Sequence, residues 1–400
     1  MEERCVKLLE YEAIRFVTKM DYRVLRELES SGVLKDNPYP CLDDFRSIRK
    51  DFDTSSLSEK TVSKIDDVIS SAGKVQQARD RYAEGLERYG IDIVCREDKE
   101  YPFSWKNLSG MPRMFFTKGD KSILADITYK GAVSVVGSRT PGRYSLYATG
   151  QFSGDLSKKE VAVVSGMAFG IDRKAHEACL DAAGKTVAIT AGGADVIYPF
   201  QNADIYDRIC AEGVIVTELP PGQEVLKQYF PSRNRLISAL GDACLIMEAG
   251  IYSGTLHTAS FAGEQGKDVF VLPGSIYDKN ALGGLLLLRD GAEVLIDVDT
   301  VYERIQTEIG NRLILLNEKP HNRPDTAYLR TLAKSDPEKL NEDEWKTVIC
   351  DEISEKPRNI DELCISLGIP FTYLSSVVTM LETEGRIEND RGKYVLLDYK

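Results

Sequence analysis

The chain has 400 residues, of which 42% are hydrophobic and 28% are charged, and its formal net charge is −12. This composition is ordinary for a globular protein of two or three domains. The negative charge argues against a protein that coats nucleic acid with its whole surface, so any polyanion must be held by a local basic patch. The sequence contains neither a signal peptide nor an apolar run long enough to cross a bilayer. We therefore expect a cytoplasmic protein without membrane insertion.

Cysteines and histidines give no sign of a metal site. The eight cysteines are scattered without C-x-x-C spacing, and only three histidines occur, His176, His257 and His321. This distribution indicates reduced, buried thiols and argues against structural zinc. We predict neither a metal nor a cofactor.

The sequence of residues 1–85 predicts a region of short helices joined by polar loops. The stretch "YEAIRFVTKMDYRVLRELESSG" has apolar residues at helical spacing and ends in Ser-Gly. Two short strands are predicted after it, near Ile91–Cys95 and Met114–Thr117.

From Gly131 onward, short β-branched runs alternate with helical patterns. Strands that are apolar without alternation are buried on both faces, which indicates a parallel sheet covered by helices. The pattern therefore predicts one doubly wound α/β domain that ends near residue 310. The predicted strands are Ala132–Val136, Val161–Ser165, Thr186–Thr190, Val214–Glu218, Ala243–Glu248, Val269–Leu272 and Glu293–Ile296.

The end of the chain predicts a polar linker over residues 317–340 and a small winged-helix-like domain over residues 341–400. The last sixty residues hold thirteen acidic and seven basic side chains, a net −6. The candidate recognition helix, Phe371–Gly385, has no lysine or arginine, and only the wing, with Arg391 and Lys393, is weakly basic. Because such a surface repels phosphates, we expect this domain to contact protein and not duplex DNA.

Four glycine-punctuated loops follow strands of the predicted sheet, at residues 137–143, 165–172, 191–199 and 249–259. In an open parallel sheet these loops converge on one crevice, where backbone amides and helix N-termini favour an anion. A single glycine there more often serves a turn or close packing. The candidate binding residues in these loops are Gly137, Ser138, Arg139, Arg143, Gly166, Gly170, Ser253, Gly254 and Thr255.

A further candidate segment is "LKQYFPSRNRLISAL", in which basic and aromatic side chains alternate. Cations hold phosphates and rings stack on bases, so this mixture suits single-stranded nucleic acid. Alternatively, the two arginines nearest the helix start pair with carboxylates at strand ends, such as Glu248. The candidates are Lys227, Phe230, Arg233, Asn234 and Arg235.

Two other residues near the loops have simpler structural explanations. Asp172 begins a helical pattern after Gly170, so we expect it to cap the helix N-terminus. His176, one turn later, is interpreted as a packed, hydrogen-bonding histidine before it is considered as a general base.

The ordered blocks "YPFSWKNLSGMPRMFFTKGD", "VVGSRTPGRYS", "SGMAFGIDRKAHEACL", "AITAGGADVIYP", "FPSRNRLISAL", "EAGIYSGTLHTASFA" and "VFVLPGS" closely resemble the DNA-processing protein A (DprA, or Smf) family over residues 90–300. The resemblance implies an extended Rossmann-like domain, here residues 86–316, that binds single-stranded DNA, forms a homodimer and helps load the recombinase RecA in natural transformation. Carried over by position, the DNA-contacting residues are Arg139, Lys227 and Phe230. A C-terminal winged helix is also common in the family.

The chain departs from the family pattern in two places: Leu285 stands where an asparagine is usual, and the N-terminal region lacks a Gly-Ile-Gly hairpin. A rival hypothesis is a nucleotide phosphoribohydrolase. That fold carries a P-G-G-x-G-T-x-x-E loop, but here no glutamate lies three residues after Thr255, so we predict that the protein is not an enzyme. A protein-interaction scaffold with an unused crevice is the third alternative.

Overall fold

The structure is a computed structural model of the chain. It describes residues 3–34, 37–52, 54–317, 342–355, 358–367, 371–383, 387–390 and 393–396. These residues form two compact units, Met1–Arg312 and Leu313–Lys400, and each is described by itself. The predicted linker lies outside the described residues except for Asn317, and so do Glu384 and Arg391.

The N-terminal region is helical, as its periodicity predicts. Helix α2 (Tyr22–Ser30) is capped by Asp21, whose carboxylate accepts the N–H groups of Arg23 and Val24. The last helix of the region ends at Tyr89 and is followed by Gly90, whose left-handed φ of 62° terminates it. The predicted boundary at residue 85 therefore falls inside that helix. The helices are α1 (Glu3–Thr18), α2 (Tyr22–Ser30), α3 (Leu42–Asp51), α4 (Glu59–Ser70) and α5 (Ala72–Tyr89).

One mixed sheet is the centre of the first unit. Its strands are β1 (Asp92–Cys95), β2 (Met114–Gly119), β3 (Ala132–Gly137), β4 (Ala162–Ser165), β5 (Thr186–Ile189), β6 (Val214–Thr217), β7 (Ala243–Glu248), β8 (Asp268–Val271) and β9 (Glu293–Val294), in the order β1-β2-β6-β5-β4-β3-β7-β8-β9. The two strands β1 and β2 are antiparallel at one edge, and β3 to β9 pair in parallel. The last predicted strand shortens to Glu293–Val294 because only these two residues pair with β8.

Helices cover both faces of this sheet, which explains why its central strands have no polar alternation. In β5, Val187 and Ile189 belong to one hydrophobic core, whereas Ala188 belongs to the core that the N-terminal helices share. The predicted Rossmann-like, mostly parallel fold is therefore confirmed. The covering helices are α6 (Phe103–Lys106), α7 (Ser122–Lys130), α8 (Arg143–Lys158), α9 (Ile171–Asp181), α10 (Ala203–Glu212), α11 (Tyr229–Leu240), α12 (Thr255–Glu264), α13 (Leu282–Arg289) and α14 (Val298–Asn317).

The second unit contains three helices and a hairpin around a small core, as a winged helix does. They are α15 (Glu342–Glu355), α16 (Ile360–Leu367), α17 (Phe371–Thr383) and the antiparallel strands β10 (Ile387–Asp390) and β11 (Lys393–Leu396). Trp345 and Leu374 are buried in its core, and the buried carboxylate of Glu352 pairs with Arg358 at 3.0 Å. None of the helices in the described ranges is long and apolar enough to cross a membrane.

A buried ion pair fastens α14 to the amino edge of the sheet. Asp242, 1% exposed, accepts the N–H of Ala132 at 3.0 Å and pairs with Arg312. Arg312 also donates to the carbonyl oxygens of Ile127 and Thr128, each at 3.0 Å. The carboxylate of Asp242 therefore holds together the start of β3, the end of α7 and helix α14.

We expect Asp242→Ala to lower the free energy of unfolding by about 3–5 kcal/mol, because it leaves the guanidinium of Arg312 buried without its counter-charge. Urea unfolding in a Trp345→Phe background measures this cleanly, since Trp105 then reports on the first unit alone. Lys130→Ala, which removes an exposed pair with Glu160, is the control and should change little. Equal stability of the two variants would contradict the role of Asp242.

Candidate functional site

The strand order of the sheet reverses at β3. Strands β4, β5 and β6 lie on one side of β3, and β7, β8 and β9 lie on the other. Loops at the carboxyl ends of β3 and β7 therefore diverge, and such a reversal leaves a crevice between them. A cleft of about 220 Å³ lies here, which we call the first cleft. Eight candidate residues line it: Gly137, Arg139, Phe230, Arg233, Asn234, Ser253, Gly254 and Thr255.

A cation and an aromatic ring share the mouth of the first cleft. The guanidinium carbon of Arg139 lies 5.0 Å from the ring centroid of Phe230. The ring of Tyr198 meets Phe230 edge to face, with a centroid distance of 6.1 Å. Arg139 is exposed and Phe230 is half-buried, so both remain available to a molecule that enters the cleft.

A second cation, Arg233, lies at the back of the cleft. Its guanidinium carbon is 5.6 Å from the Phe230 centroid, and its side chain is 6% exposed. Burial lowers the pKa of Arg233 to about 10, which the positive Arg139 reinforces and the negative Asp172 opposes, so the group stays charged at neutral pH. Its Nε has no hydrogen-bond partner among the described residues. A buried charge with so few partners is costly, and an anion in the cleft offsets that cost.

Three of the candidate glycines serve close packing. A Cβ at Gly166 would overlap the guanidinium of Arg233, so only glycine leaves room for that side chain. At Gly170, with φ of 75°, a Cβ would meet the carbonyl oxygen of Ser138. At Gly137 it would meet Ile171 at 2.6 Å. These glycines shape the cleft through the elements they bring together.

The predicted helix cap at Asp172 is wrong. Helix α9 starts at Ile171 and its N-cap is Gly170, so Asp172 lies within the first turn. Its Oδ2 instead accepts the N–H of Ala168 at 3.3 Å, inside the β4–α9 loop. Burial raises the pKa of Asp172, and the charge of Arg233 opposes that shift. Asp172 therefore balances Arg233 and holds the loop.

The alternative that an arginine of this segment pairs with a strand-end carboxylate is confirmed for Arg235, although its partner is Glu218 and not Glu248. The guanidinium of Arg235 pairs with Glu218 at 2.5 Å, which ties α11 to the end of β6. Glu248 instead accepts the N–H of Gly142 at 2.9 Å and the hydroxyl of Ser145 at 2.7 Å, both at the start of α8. Arg235 thus lies outside the first cleft and has a structural partner.

The remaining candidates surround the first cleft without lining it. Lys227 is exposed just before α11, and Arg143 is exposed at the first position of α8. Ser138 accepts the N–H of Thr140 at 3.1 Å and so shapes its turn. Arg139, Arg143 and Lys227 have no ion-pair partner within the part of the chain that the structure describes. These three cations are therefore free to bind an anion.

Sequence patterns missed Asn202, which holds the β4–α9 loop in place. Its amide donates to the carbonyl oxygens of Met167 at 2.8 Å and Ala168 at 3.3 Å, and its Oδ1 accepts from Arg173 at 3.1 Å. Met167 has a φ of 62°, which is uncommon for a residue with a side chain. Asn202 is distant in sequence, so no local signal reveals the contact. Leu285, at the family's asparagine position, lies in α13.

His176 has the packed, hydrogen-bonded environment expected of it. Its Nδ1 lies 2.7 Å from the hydroxyl of Thr186, and that hydroxyl donates to the carbonyl oxygen of Val163 at 2.8 Å. Nδ1 therefore carries the proton and donates it to Thr186. Burial, with the positive Arg233 nearby, lowers the pKa of His176 to about 3, so the ring is neutral near pH 7.

Comparison with known proteins identifies related chains. The family model of DNA recombination-mediator protein A matches residues 92–306, and that of the DprA winged helix domain matches residues 333–393. DNA processing protein DprA of Bacillus subtilis is 34% identical over 217 residues, which is 54% of this chain and 72% of that protein. A putative DprA of Mycobacterium tuberculosis is 32% identical over 332 residues, 80% of this chain and 81% of that one. The X-ray structure of DprA from Streptococcus pneumoniae has a TM-score of 0.61 and 26% identity, and the match covers 74% of this chain and 98% of that chain.

Because His176 is buried, we expect the stability of the first unit to depend on pH. Its pKa in the folded chain, about 3, lies below the ordinary value of 6.5. Between these values the unfolded chain binds a proton that the folded chain does not, so stability falls as pH falls, by at most about 1.4 kcal/mol per pH unit. We expect His176→Gln to flatten this dependence in urea unfolding between pH 7 and pH 5. An unchanged slope would show that His176 does not contribute.

Proposed function

The chain belongs to the DNA recombination-mediator protein A family, and from that premise we propose that its first cleft binds single-stranded DNA. One observation carries the proposal: the guanidinium groups of Arg139 and Arg233 lie 5.0 and 5.6 Å from the ring of Phe230. Guanidinium groups attract phosphates, and an aromatic ring stacks on a base, so one short stretch of strand satisfies all three side chains.

Free positive charge extends the site beyond the cleft. Arg139, Arg143 and Lys227 are exposed and, among the described residues, have no carboxylate partner. By contrast, Lys130 at the other edge of the sheet pairs with Glu160 at 2.8 Å. Each free cation that neutralises a phosphate releases a counterion, which makes binding favourable at low salt. The carboxyl edge thus supplies the local basic patch that an acidic chain requires.

We propose a binding role and not a catalytic one. In the rival hydrolase pattern a glutamate lies three residues after the threonine of the glycine loop. That position here is Thr258, which is buried and lines the first cleft, so the cleft has a hydroxyl where the pattern needs a carboxylate. Release of free base from adenosine monophosphate at catalytic enzyme concentrations would favour the hydrolase instead.

Family membership also supports a wider role. We propose that the protein protects single-stranded DNA and helps load RecA recombinase on it during transformation, as a cytoplasmic homodimer that associates through the Rossmann-like domain of residues 86–316. The scaffold alternative, by contrast, expects no DNA binding at any salt concentration.

Removing a cation and removing the ring at the first cleft should affect DNA binding in different ways. Arg139→Ala should weaken binding of single-stranded DNA and lower the salt slope by about 0.7, because one phosphate contact is lost. Lys227→Ala should act in the same way. Phe230→Ala should cost about 1–3 kcal/mol with little change in slope, since stacking releases no counterion. Fluorescence anisotropy across a salt titration measures both quantities.

Lys130→Ala serves as the matched control, since it removes one positive charge far from the cleft and should leave the affinity nearly unchanged. Unchanged affinity of a folded Arg139→Ala/Lys227→Ala double variant would overturn the assignment of the site.

For the second unit we expect no contribution to the binding of single-stranded DNA. Its helix α17 has no lysine or arginine over Phe371–Thr383, and Glu382 is exposed on it, so we propose that this unit contacts protein and not duplex DNA. A chain of residues 1–317 should therefore keep most of its affinity for single-stranded DNA, and the full chain should prefer single strands to duplex of equal length. Loss of binding in a truncated chain with an intact circular dichroism spectrum would make the second unit a DNA reader.

A further inference from the structure

A second cleft, of about 350 Å³, lies beside the first at the carboxyl ends of β7 and β8. The two clefts share one loop: Ala249 lines the second cleft, and Ser253 and Gly254 line the first. The segment between these residues is therefore the wall that separates the clefts. Arg143 and Tyr144, at the start of α8, line the far side.

The wall carries an aromatic side chain with no role in folding. Tyr252 is 100% exposed, so it buries no apolar area in the folded chain. Tyr277, 90% exposed, lies in the loop that lines the second cleft, and Tyr144 is 57% exposed at its side. Three accessible rings thus occupy the edge where Phe230 already faces the first cleft.

The second cleft is lined by one cation and two carboxylates, whereas the first is lined by two cations and one carboxylate. The cation is Arg143, and one of the carboxylates is the exposed Asp278. The carboxylate of Glu248 also lines the cleft, but it is engaged by the N–H of Gly142 and the hydroxyl of Ser145 at the positive end of α8. Such a surface attracts phosphates weakly. Its mixture of rings, donors and acceptors suits uncharged nucleobases instead.

We propose that a single strand held in the first cleft crosses the wall at Tyr252 and places its next bases in the second cleft, stacked on exposed tyrosines. This inference rests on the proposed function of the first cleft. The first cleft lies between the loops that follow β3 and β7, and the second lies at the carboxyl ends of β7 and β8, so the two clefts are neighbours at the same edge of the sheet.

The test compares oligothymidines of two lengths, about four and about twelve nucleotides, by fluorescence anisotropy. Two variants remove the rings, Tyr252→Ala and Tyr252→Ala/Tyr277→Ala. Each should weaken binding of the longer strand about 5-fold or more, which corresponds to the lower end of the free energy lost when a stacking ring is removed. The salt slope of binding should stay unchanged, because stacking releases no counterion. The shorter strand, which fills only the first cleft, should bind with nearly wild-type affinity. Tyr252→Phe keeps the ring and should bind both lengths normally.

Tyr129→Ala is the matched control. Tyr129 is 64% exposed, but it lies at the end of α7, just before β3 begins, and so at the opposite edge of the sheet. Its removal should change neither affinity. Circular dichroism verifies the fold of each variant, and the rings removed are mostly exposed in the folded chain.

The outcomes separate the two proposals. If Arg139→Ala weakens binding while the tyrosine variants bind both lengths as the wild type does, the first cleft is retained and the path across Tyr252 is overturned. Equal weakening at both lengths also overturns the path, because it places Tyr252 at the first cleft. If Arg139→Ala and Lys227→Ala leave binding unchanged, the proposed function itself fails.

Discussion

The buried guanidinium of Arg233 is the constraint around which the carboxyl edge of the sheet is built. The group is charged, 6% exposed, and balanced by Asp172 without a direct ion pair. The guanidinium of Arg233 fits only because residue 166 is glycine, since a Cβ there would overlap it. The loop that carries Gly166 is held by hydrogen bonds from Asn202. A positive charge fixed in this way keeps its position before any ligand arrives, so binding does not have to order a flexible side chain first.

The topology explains why Arg233 and Phe230 can meet Arg139 at all. After β6, the chain crosses the sheet to β7 on the other side of β3, and α11 belongs to that crossing. The first turns of α11 therefore lie beside the loop that follows β3, although residues 139 and 230 are distant in sequence. A sheet with sequential strand order would place these segments at different positions, and the cation and the ring would not share a cleft. The reversal of strand order is thus what brings the separate basic segments together.

Sequence patterns predict the sheet well because its strands are buried on both faces, and such strands need continuous apolar runs. They also locate Arg139 and Phe230, since glycine loops and basic-aromatic segments are local features. They are less specific where a residue's partner is distant: they allow a strand-end carboxylate for Arg235 but do not select Glu218, and they miss that the start of α9 at Ile171 turns Asp172 inward. The roles of Asn202 and Tyr252 depend on contacts and exposure, which no local pattern encodes.

An acidic chain can hold a polyanion where exposed cations without an ion-pair partner lie close together. Several positive side chains away from the first cleft are paired: Lys130 with Glu160, Lys159 with Asp299, and Arg208 with Asp181. Around the cleft, the carboxylates are occupied instead: Glu248 by the start of α8, and Glu218 by Arg235. Asp172, which lines the cleft, is buried beside Arg233, and neither Arg139 nor Lys227 has an ion-pair partner among the described residues. A chain with a net charge of −12 thus has exposed cations without an ion-pair partner at this edge, while its overall negative charge disfavours contact between nucleic acid and the rest of its surface. This arrangement fits the proposed binding of one strand at one site and does not fit general coating of DNA.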